Sequence, residues 1–95
     1  MLSNNQIRFF DLIKSSNVSN TIMCFFDVEK RAIKLDEVNE LIGQLSHGEQ
    51  IMLMFFANVW FNANTFDFNL IDAASTLDEG NRSLIAEWLQ NPFWP

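Results

Sequence analysis

Basic residues are scarce in this chain. Its 95 residues include 6 lysines and arginines against 12 aspartates and glutamates, which gives a net charge of −6 at pH 7. A typical domain of this length holds about 12 charges of each sign, so the negative charge comes from missing bases rather than from extra acids. Nucleic acids and anionic membranes are held by basic patches. We therefore expect no direct binding to either, and a negative field that favours a basic partner face.

Cysteine, glycine and long apolar segments are also rare. The single cysteine, Cys24, excludes an internal disulfide framework and is typical of a reducing compartment. The longest apolar segment, Ile51 to Ala57, is far shorter than the roughly 20 residues that span a bilayer, and the first residues lack the pattern of a secretory leader. The three glycines lie too far apart to form a phosphate-binding loop. We expect one domain over residues 1–95, located in the cytoplasm.

Reactive side chains are few. Cys24 and His47 are the only cysteine and histidine, and as a pair they could supply a nucleophile and a base. Cys24 lies in an apolar segment typical of buried thiols, and His47 follows a helix cap, where it serves as a surface residue of the first turn. We therefore interpret neither as catalytic. Asp36, Glu37 and Glu40 fall within one turn, but acids favour a helix start, and a cation would need further oxygen ligands. The sequence predicts no enzyme, cofactor or metal site.

Helical periodicity dominates the rest of the chain. Ser3 and Gln6 have the spacing of a capping box before an apolar stripe over residues 4–15. Ser46 and Glu49 have the same spacing before the most apolar segment, which we predict to be a central helix over about residues 47–62 that is buried on several sides. The predicted fold class is mainly α, a compact bundle of four to five short helices around this central helix.

Three aspartates are expected to cap the other helices of the bundle. Asp36 precedes an apolar pattern that reaches Leu45, and Asp67 and Asp78 precede two more. Pro92 ends the last pattern, because proline disfavours a helical conformation in the preceding residue. The predicted inward faces of the last two helices are Leu70, Ile71, Ala74 and Leu77, and Leu84, Ile85, Trp88 and Leu89.

Residues 15–35 are the least regular part of the sequence. Ser15 to Asn20 contains side chains that compete for backbone hydrogen bonds, which predicts a loop. Thr21 to Phe26 and Ala32 to Leu35 have strand-like composition, and together they predict a small β-hairpin over about residues 21–35. The alternative is a continuous helix from Thr21 to Leu45, because residues 29–32 are good helix formers.

Aromatic side chains are abundant but lack tyrosine. The chain has 10 phenylalanines and 3 tryptophans, and a domain this small leaves a third or more of its extended-chain surface accessible. We expect surplus rings on the central helix and in the C-terminal tail, residues 92–95. The tail either folds back over the bundle or joins the edge of the central helix in an apolar surface with an acidic rim. The candidate protein-binding residues are Phe56, Trp60, Phe93 and Trp94.

Apolar excess, few bases and no reactive cluster together favour a non-enzymatic protein-binding module. The expected role is that of a small acidic regulator or inhibitor that covers the surface of a partner protein. One alternative is a structural homo-oligomer that buries the surplus rings against a copy of itself. A further alternative is an inhibitor that is encoded on a mobile element and acts on a host defence complex or a nucleic-acid-binding complex. The least favoured alternative is an enzyme or ligand-binding pocket that contains Cys24 or His47.

Overall fold

The computed structural model describes residues 2–95 and is mainly helical. A two-stranded antiparallel hairpin pairs Phe26 with Ile33 and Asp27 with Ala32, and it separates the second helix from the third. The predicted fold class, a mainly α bundle with a small hairpin, is confirmed, and the continuous helix from Thr21 to Leu45 is excluded. The elements are α1 (Asn4–Ser15), α2 (Ser19–Met23), β1 (Phe26–Asp27), β2 (Ala32–Ile33), α3 (Leu35–Leu41), α4 (His47–Phe61), α5 (Leu70–Thr76) and α6 (Glu79–Gln90).

The number of helices exceeds the predicted four to five because α2 forms within the predicted loop and strand. Residues 19–23 make little more than one turn, and Ile22 in this turn is fully buried. A single isolated turn is unstable in water, so tertiary burial of Ile22 rather than local propensity accounts for α2. The hairpin keeps only two residues in each strand.

The capping predictions for α1, α4 and α6 are confirmed. Both capping boxes form, and in the second the Ser46 hydroxyl accepts from the Glu49 N–H at 3.2 Å while the Ser46 N–H donates to the Glu49 carboxylate at 3.0 Å. Asp78 caps α6. The pKa of Glu49 is held below its ordinary value, chiefly by the hydrogen bond from the Ser46 N–H. Hydrogen bonds with the Ser46 and Thr21 side chains lower it further.

Two predicted caps are wrong. Helix α3 begins at Leu35, one residue before Asp36, and Lys34 precedes it without a side-chain cap. Helix α5 is capped by Asn69 instead of Asp67, and the Asn69 side chain accepts from the Asp72 N–H at 2.9 Å. Asparagine and aspartate cap about equally well, so tertiary packing chooses between nearby candidates. Phe66 and Phe68 both pack against the core, which keeps the chain around Asp67 non-helical.

Helix α4 lies at the centre of the core, as predicted. Its fully buried side chains include Met52, Leu53 and Phe56. Phe9 of α1 packs edge-on against Phe56 with ring centroids 5.9 Å apart, and it also contacts Phe10, Phe26 and Trp60 at 5.4 to 5.5 Å. This aromatic cluster joins α1, the hairpin and the C-terminal half of α4. Offset and edge-on ring pairs stabilise such a core beyond the area that they bury.

The left-handed conformation of Asn62 ends α4. Its φ of 51° closes the helix with hydrogen bonds from its N–H to the carbonyls of Asn58 and Val59. Asparagine tolerates this conformation better than most residues do. The predicted end of the helix near Asn62 is confirmed. None of the helices within residues 2–95 combines the length and apolar character needed to cross a membrane.

Candidate functional site

The four predicted protein-binding residues do not form one surface. Phe56 has no exposed surface, because its position on α4 points it into the aromatic core. The prediction that it contacts a partner is therefore wrong. Trp60 is half-buried against Phe9, Phe10 and Phe26, at the α1 side of the molecule.

The C-terminal tail folds back against the bundle, the first of its two predicted arrangements. The Trp88 indole N–H donates to the Phe93 carbonyl at 3.0 Å, and the guanidinium of Arg8 lies 4.0 Å from the centre of the Phe93 ring. Trp94 packs edge-on against Trp88 with centroids 5.9 Å apart. The tail thus folds back over the bundle and covers Phe93 in part, while Trp94 keeps 46% of its surface exposed.

An apolar groove lies beside this tail, between α4, α5 and α6. It consists of two adjoining depressions, of about 330 Å³ and 160 Å³, which share Leu70, Ile85 and Leu89. The larger depression is bounded by Phe55, Val59, Phe68, Trp88 and Trp94, and the smaller by Ala73, Ala74, Leu77, Arg82 and Ala86. We call the two together the α5–α6 groove.

The spacing of residues on the two short helices explains the groove. Leu70, Ala73 and Ala74 recur at i, i+3 and i+4 on α5, and Leu77 directly follows that helix. Arg82, Ile85, Ala86 and Leu89 recur at i, i+3, i+4 and i+7 on α6. Residues at this spacing share one helix face. The alanines leave open space between the helices, and Leu70 and Leu89 border that space.

Large exposed apolar side chains concentrate at the α5–α6 groove. Leu70, Leu89 and Trp94 line it with 59%, 57% and 46% of their surface exposed, and Ile71, which follows Leu70 on α5, is 76% exposed. Single exposed apolar residues are ordinary on protein surfaces, whereas a contiguous set of them marks an interaction surface. This groove is therefore the candidate functional site.

Sequence reasoning placed the groove residues in the core. The apolar pattern predicts that Leu70, Ile71, Ala74 and Leu89 face inward, but all four are exposed, whereas Ala73 and Leu77 are buried. A stripe at helical spacing looks the same whether another element covers it or not. The width of the stripe is an available signal, because at 100° per residue Ile71 stands too far around α5 from Leu70 and Ala73 to share their contact.

The segments that form the groove are acidic. Residues 62–95 contain five acidic side chains and one basic side chain, Arg82, whose guanidinium donates to the Leu77 carbonyl at 2.6 Å. Among residues 2–95 the only ion pair is between His47 and Asp72, whose closest atoms are 2.8 Å apart. The carboxylates of Asp67 and Glu79 consequently have no basic partner within the described chain.

His47 and Cys24 have separate hydrogen-bonding partners. His47 lies exposed in the first turn of α4, as predicted, and its Nε2 contacts Asp72 of α5. This hydrogen bond lowers the pKa of Asp72 from its ordinary value. Cys24 is exposed, contrary to the prediction that it is buried, because it follows the last residue of α2, and its thiol donates to the Asn20 carbonyl at 3.1 Å. No contact joins the two into a catalytic pair among residues 2–95.

A larger but more polar cleft, of about 530 Å³, lies between α1 and α6. It is lined by side chains of both charges, including Arg8, Asp11 and Glu87. Arg8 is engaged with the Phe93 ring and with the Asn5 side chain, so its charge is used within the fold. We favour the α5–α6 groove as the site because it gathers exposed leucines and a tryptophan that the fold leaves uncovered.

Comparisons with known proteins give no match for this chain, neither a family model, nor a curated protein, nor a solved structure. Within residues 2–95, no group of three or more histidine, cysteine, aspartate or glutamate side chains is placed to hold a metal ion. Function is consequently inferred from the chemistry of the α5–α6 groove, its exposed apolar side chains and the acidic segments that form it.

Proposed function

We propose that this chain is a non-enzymatic protein-binding module that docks a partner protein in the α5–α6 groove. The observation that carries the proposal is the shared position of Leu70, Leu89 and Trp94, each about half exposed and all lining one groove. Covering apolar surface releases about 25 cal/mol for each Å² removed from water, which favours association. By covering the partner's own surface, the module acts as a regulator or inhibitor.

The lining of the groove favours a protein over a small polar ligand. Small-molecule sites combine apolar walls with a few polar groups that converge on the ligand. Asn58, Asn62 and Asn64 are the asparagines that line the larger depression. The Asn58 side chain donates to the Phe66 carbonyl at 3.0 Å and accepts from the Phe66 N–H at 2.8 Å. Its hydrogen-bonding groups thus hold the loop after α4 and are not directed at a ligand.

The proposal includes a location in the cytoplasm and no direct contact with nucleic acid. The exposed thiol of Cys24 is of a kind that a reducing compartment preserves. The net charge of −6 repels phosphate, and no basic patch accompanies the groove. A protein partner is therefore the better match to this surface.

Self-association is the second candidate function, because Ile71 and the groove leucines are the kind of surface that a dimer buries. A two-fold dimer brings the same patch of both copies together. Residues 62–95 of each copy hold five acidic side chains and one basic side chain, Arg82, so a dimer through the groove would bring together two segments of like net charge. Like charges in contact disfavour this arrangement, so a different partner is favoured.

The proposal is tested by affinity isolation with the double variant Leu70→Gln/Leu89→Gln. Glutamine keeps helix propensity and net charge while removing the apolar contact. Leu35→Gln is the matched control, because Leu35 is an exposed leucine on α3 and lies outside the groove. We expect one identified protein to be retained by the wild type and by Leu35→Gln, and lost with the double variant.

Two results would contradict the proposal. Retention of the same protein by the double variant would show that the groove is not the docking surface. Sedimentation that reveals a stable dimer of the wild type and a monomer of the double variant would establish self-association instead. Circular dichroism of each variant checks that the helices remain intact.

A further inference from the structure

We infer that the segment that occupies the α5–α6 groove is a basic amphipathic helix of the partner protein. Such a helix presents apolar side chains to the groove and lysine or arginine side chains to the acidic segments around it. This inference rests on the proposed function and adds to it the conformation and charge of the bound segment.

The walls of the groove favour a helix over an extended peptide. Extended peptides bind by adding a strand to an open sheet edge. The only sheet among residues 2–95 is the β1–β2 hairpin, and none of its residues lines the groove. Backbone groups inside a helix are bonded within that helix, so the walls that α4 and α6 contribute offer few partners to an extended backbone. A bound helix satisfies its own backbone hydrogen bonds.

The length of the groove matches two turns of a helix. Arg82 and Leu89 are seven residues apart on α6, which corresponds to a rise of about 10 Å. On the opposite wall Leu70 begins α5 and Leu77 directly follows its last residue. Two turns of a partner helix present side chains at i, i+3 or i+4, and i+7 on one face. Ala73 of α5 and Ala86 of α6 are small enough to leave room for those side chains.

The charges around the groove favour basic flanks on the bound helix. Asp67 precedes Phe68, which lines the groove, and Glu79 lies three residues before Arg82, on the same side of α6. Both carboxylates lack a basic partner among residues 2–95. Lysine or arginine on the partner would neutralise them, steer its approach and exclude acidic competitors.

A second copy of this chain does not supply such a helix from its folded surface. The basic part of the chain is residues 1–34, with five basic and three acidic side chains. Helix α1 carries Arg8 and Lys14, but its large apolar side chains Phe9, Phe10 and Ile13 are buried in the core. Presenting them to another copy would require α1 to leave its own bundle.

The probe is a synthetic helical peptide of about 15 residues, roughly four turns, with leucine at i, i+3, i+4 and i+7 and lysine elsewhere. One control peptide has the same composition in an order that destroys the apolar stripe, and another replaces lysine with glutamate. Binding to the full chain is followed by ¹H–¹⁵N resonance shifts and by isothermal calorimetry. We expect a dissociation constant at least ten-fold lower for the lysine peptide than for either control.

Three variants locate the binding and its charge dependence. Leu70→Gln/Leu89→Gln should weaken the lysine peptide at least ten-fold, whereas Leu35→Gln should leave its affinity unchanged. Asp67→Asn/Glu79→Gln should weaken it several-fold at low salt and less at high salt, because salt screens exposed charges. Resonance shifts are expected at Leu70, Leu89 and Trp94, and peptide helicity should rise on binding.

Other outcomes would overturn the inference. Equal affinity for the lysine and glutamate peptides would exclude charge recognition, and equal affinity for the reordered peptide would exclude recognition of a helix face. If the natural partner depends on Leu70 and Leu89 but its bound segment is extended or acidic, the inference is wrong and the proposed function stands. If no protein depends on those leucines, the proposed function fails as well.

Discussion

The two sides of this bundle carry similar apolar stripes, but the stripe is buried on one side and exposed on the other. On α1, Phe9, Phe10 and Ile13 recur at helical spacing and are buried against the hairpin and α4. On α5, Leu70, Ala73 and Ala74 also share one helix face, yet only Ala73 is buried. The difference is the presence of a covering element. The hairpin and α2 complete the α1 side, whereas the α5 side ends in a groove.

The two regions also differ in charge. Residues 1–34 hold five basic and three acidic side chains, while residues 35–95 hold nine acidic side chains and one basic side chain. The overall charge of −6 conceals this asymmetry. The uncovered apolar surface lies in the acidic part, and that coincidence is what indicates a basic partner.

The largest expected effect tests the packed side of the comparison. Phe9→Ala removes a fully buried ring that contacts Phe10, Phe26, Phe56 and Trp60. We expect it to lower the free energy of unfolding by about 3–5 kcal/mol, because it deletes buried contacts and leaves a cavity. Urea denaturation followed by circular dichroism measures the change. A loss below about 1 kcal/mol would show that α1 is not part of the core.

A smaller effect is expected at the start of the central helix. Ser46→Ala removes the hydroxyl that accepts from the Glu49 N–H, and it should destabilise the protein by about 1 kcal/mol. Ser83→Ala, at an exposed position inside α6, is the matched control and should change stability by less than about 0.5 kcal/mol. Equal effects of the two substitutions in thermal denaturation would argue against the capping box.

Acid titration tests the link between α4 and α5. The hydrogen bond from His47 lowers the pKa of Asp72 in the folded state, so the unfolded chain takes up this proton first as pH falls. The hydrogen bond stabilises the fold at pH values above the ordinary carboxyl pKa of about 4. This stabilisation is lost as the pH falls through the lower pKa that Asp72 has in the folded state. Melting temperatures between pH 5 and 2 should therefore fall less steeply for Asp72→Asn than for the wild type. Identical slopes would contradict the pairing.

The smallest effect on stability is expected at the uncovered side. Leu70→Gln and Leu89→Gln should each change the free energy of unfolding by less than about 0.5 kcal/mol, because both side chains are more than half exposed. Their expected effect is on binding, which contrasts with Phe9→Ala. Destabilisation by several kcal/mol in urea denaturation would mean that these leucines belong to the core, and would remove the basis for the docking surface.

Elements with strong local signals were predictable from the sequence. Both capping boxes, the Asp78 cap and the central helix depend on neighbouring residues and hydrogen bonds within one turn, so sequence spacing was sufficient. The caps of α3 and α5 were predicted at Asp36 and Asp67 and lie instead at Lys34 and Asn69. There, several residues compete for the same role, and packing of distant groups decides between them.

The candidate site was less predictable than the fold. Of the predicted binding residues, only Trp94 lines the groove, and Phe56 lies inside the core. A sequence pattern shows that a helix has an apolar face but not which element covers that face. Cys24 illustrates the converse, since its apolar neighbours suggested burial, yet its place after the last residue of α2 leaves it exposed.

Composition and local spacing alone determined that this chain forms a helical bundle with a shortage of bases and a surplus of rings without polar groups. Those properties belong to single residues and to their near neighbours along the chain. Only the tertiary structure decided that Phe56 is buried while Leu70 and Leu89 border a groove. The reason is that burial depends on which segments meet in space. Such meetings bring together residues far apart in sequence, as when Phe9 contacts Phe56 and when Leu70 and Leu89 come to line the same groove.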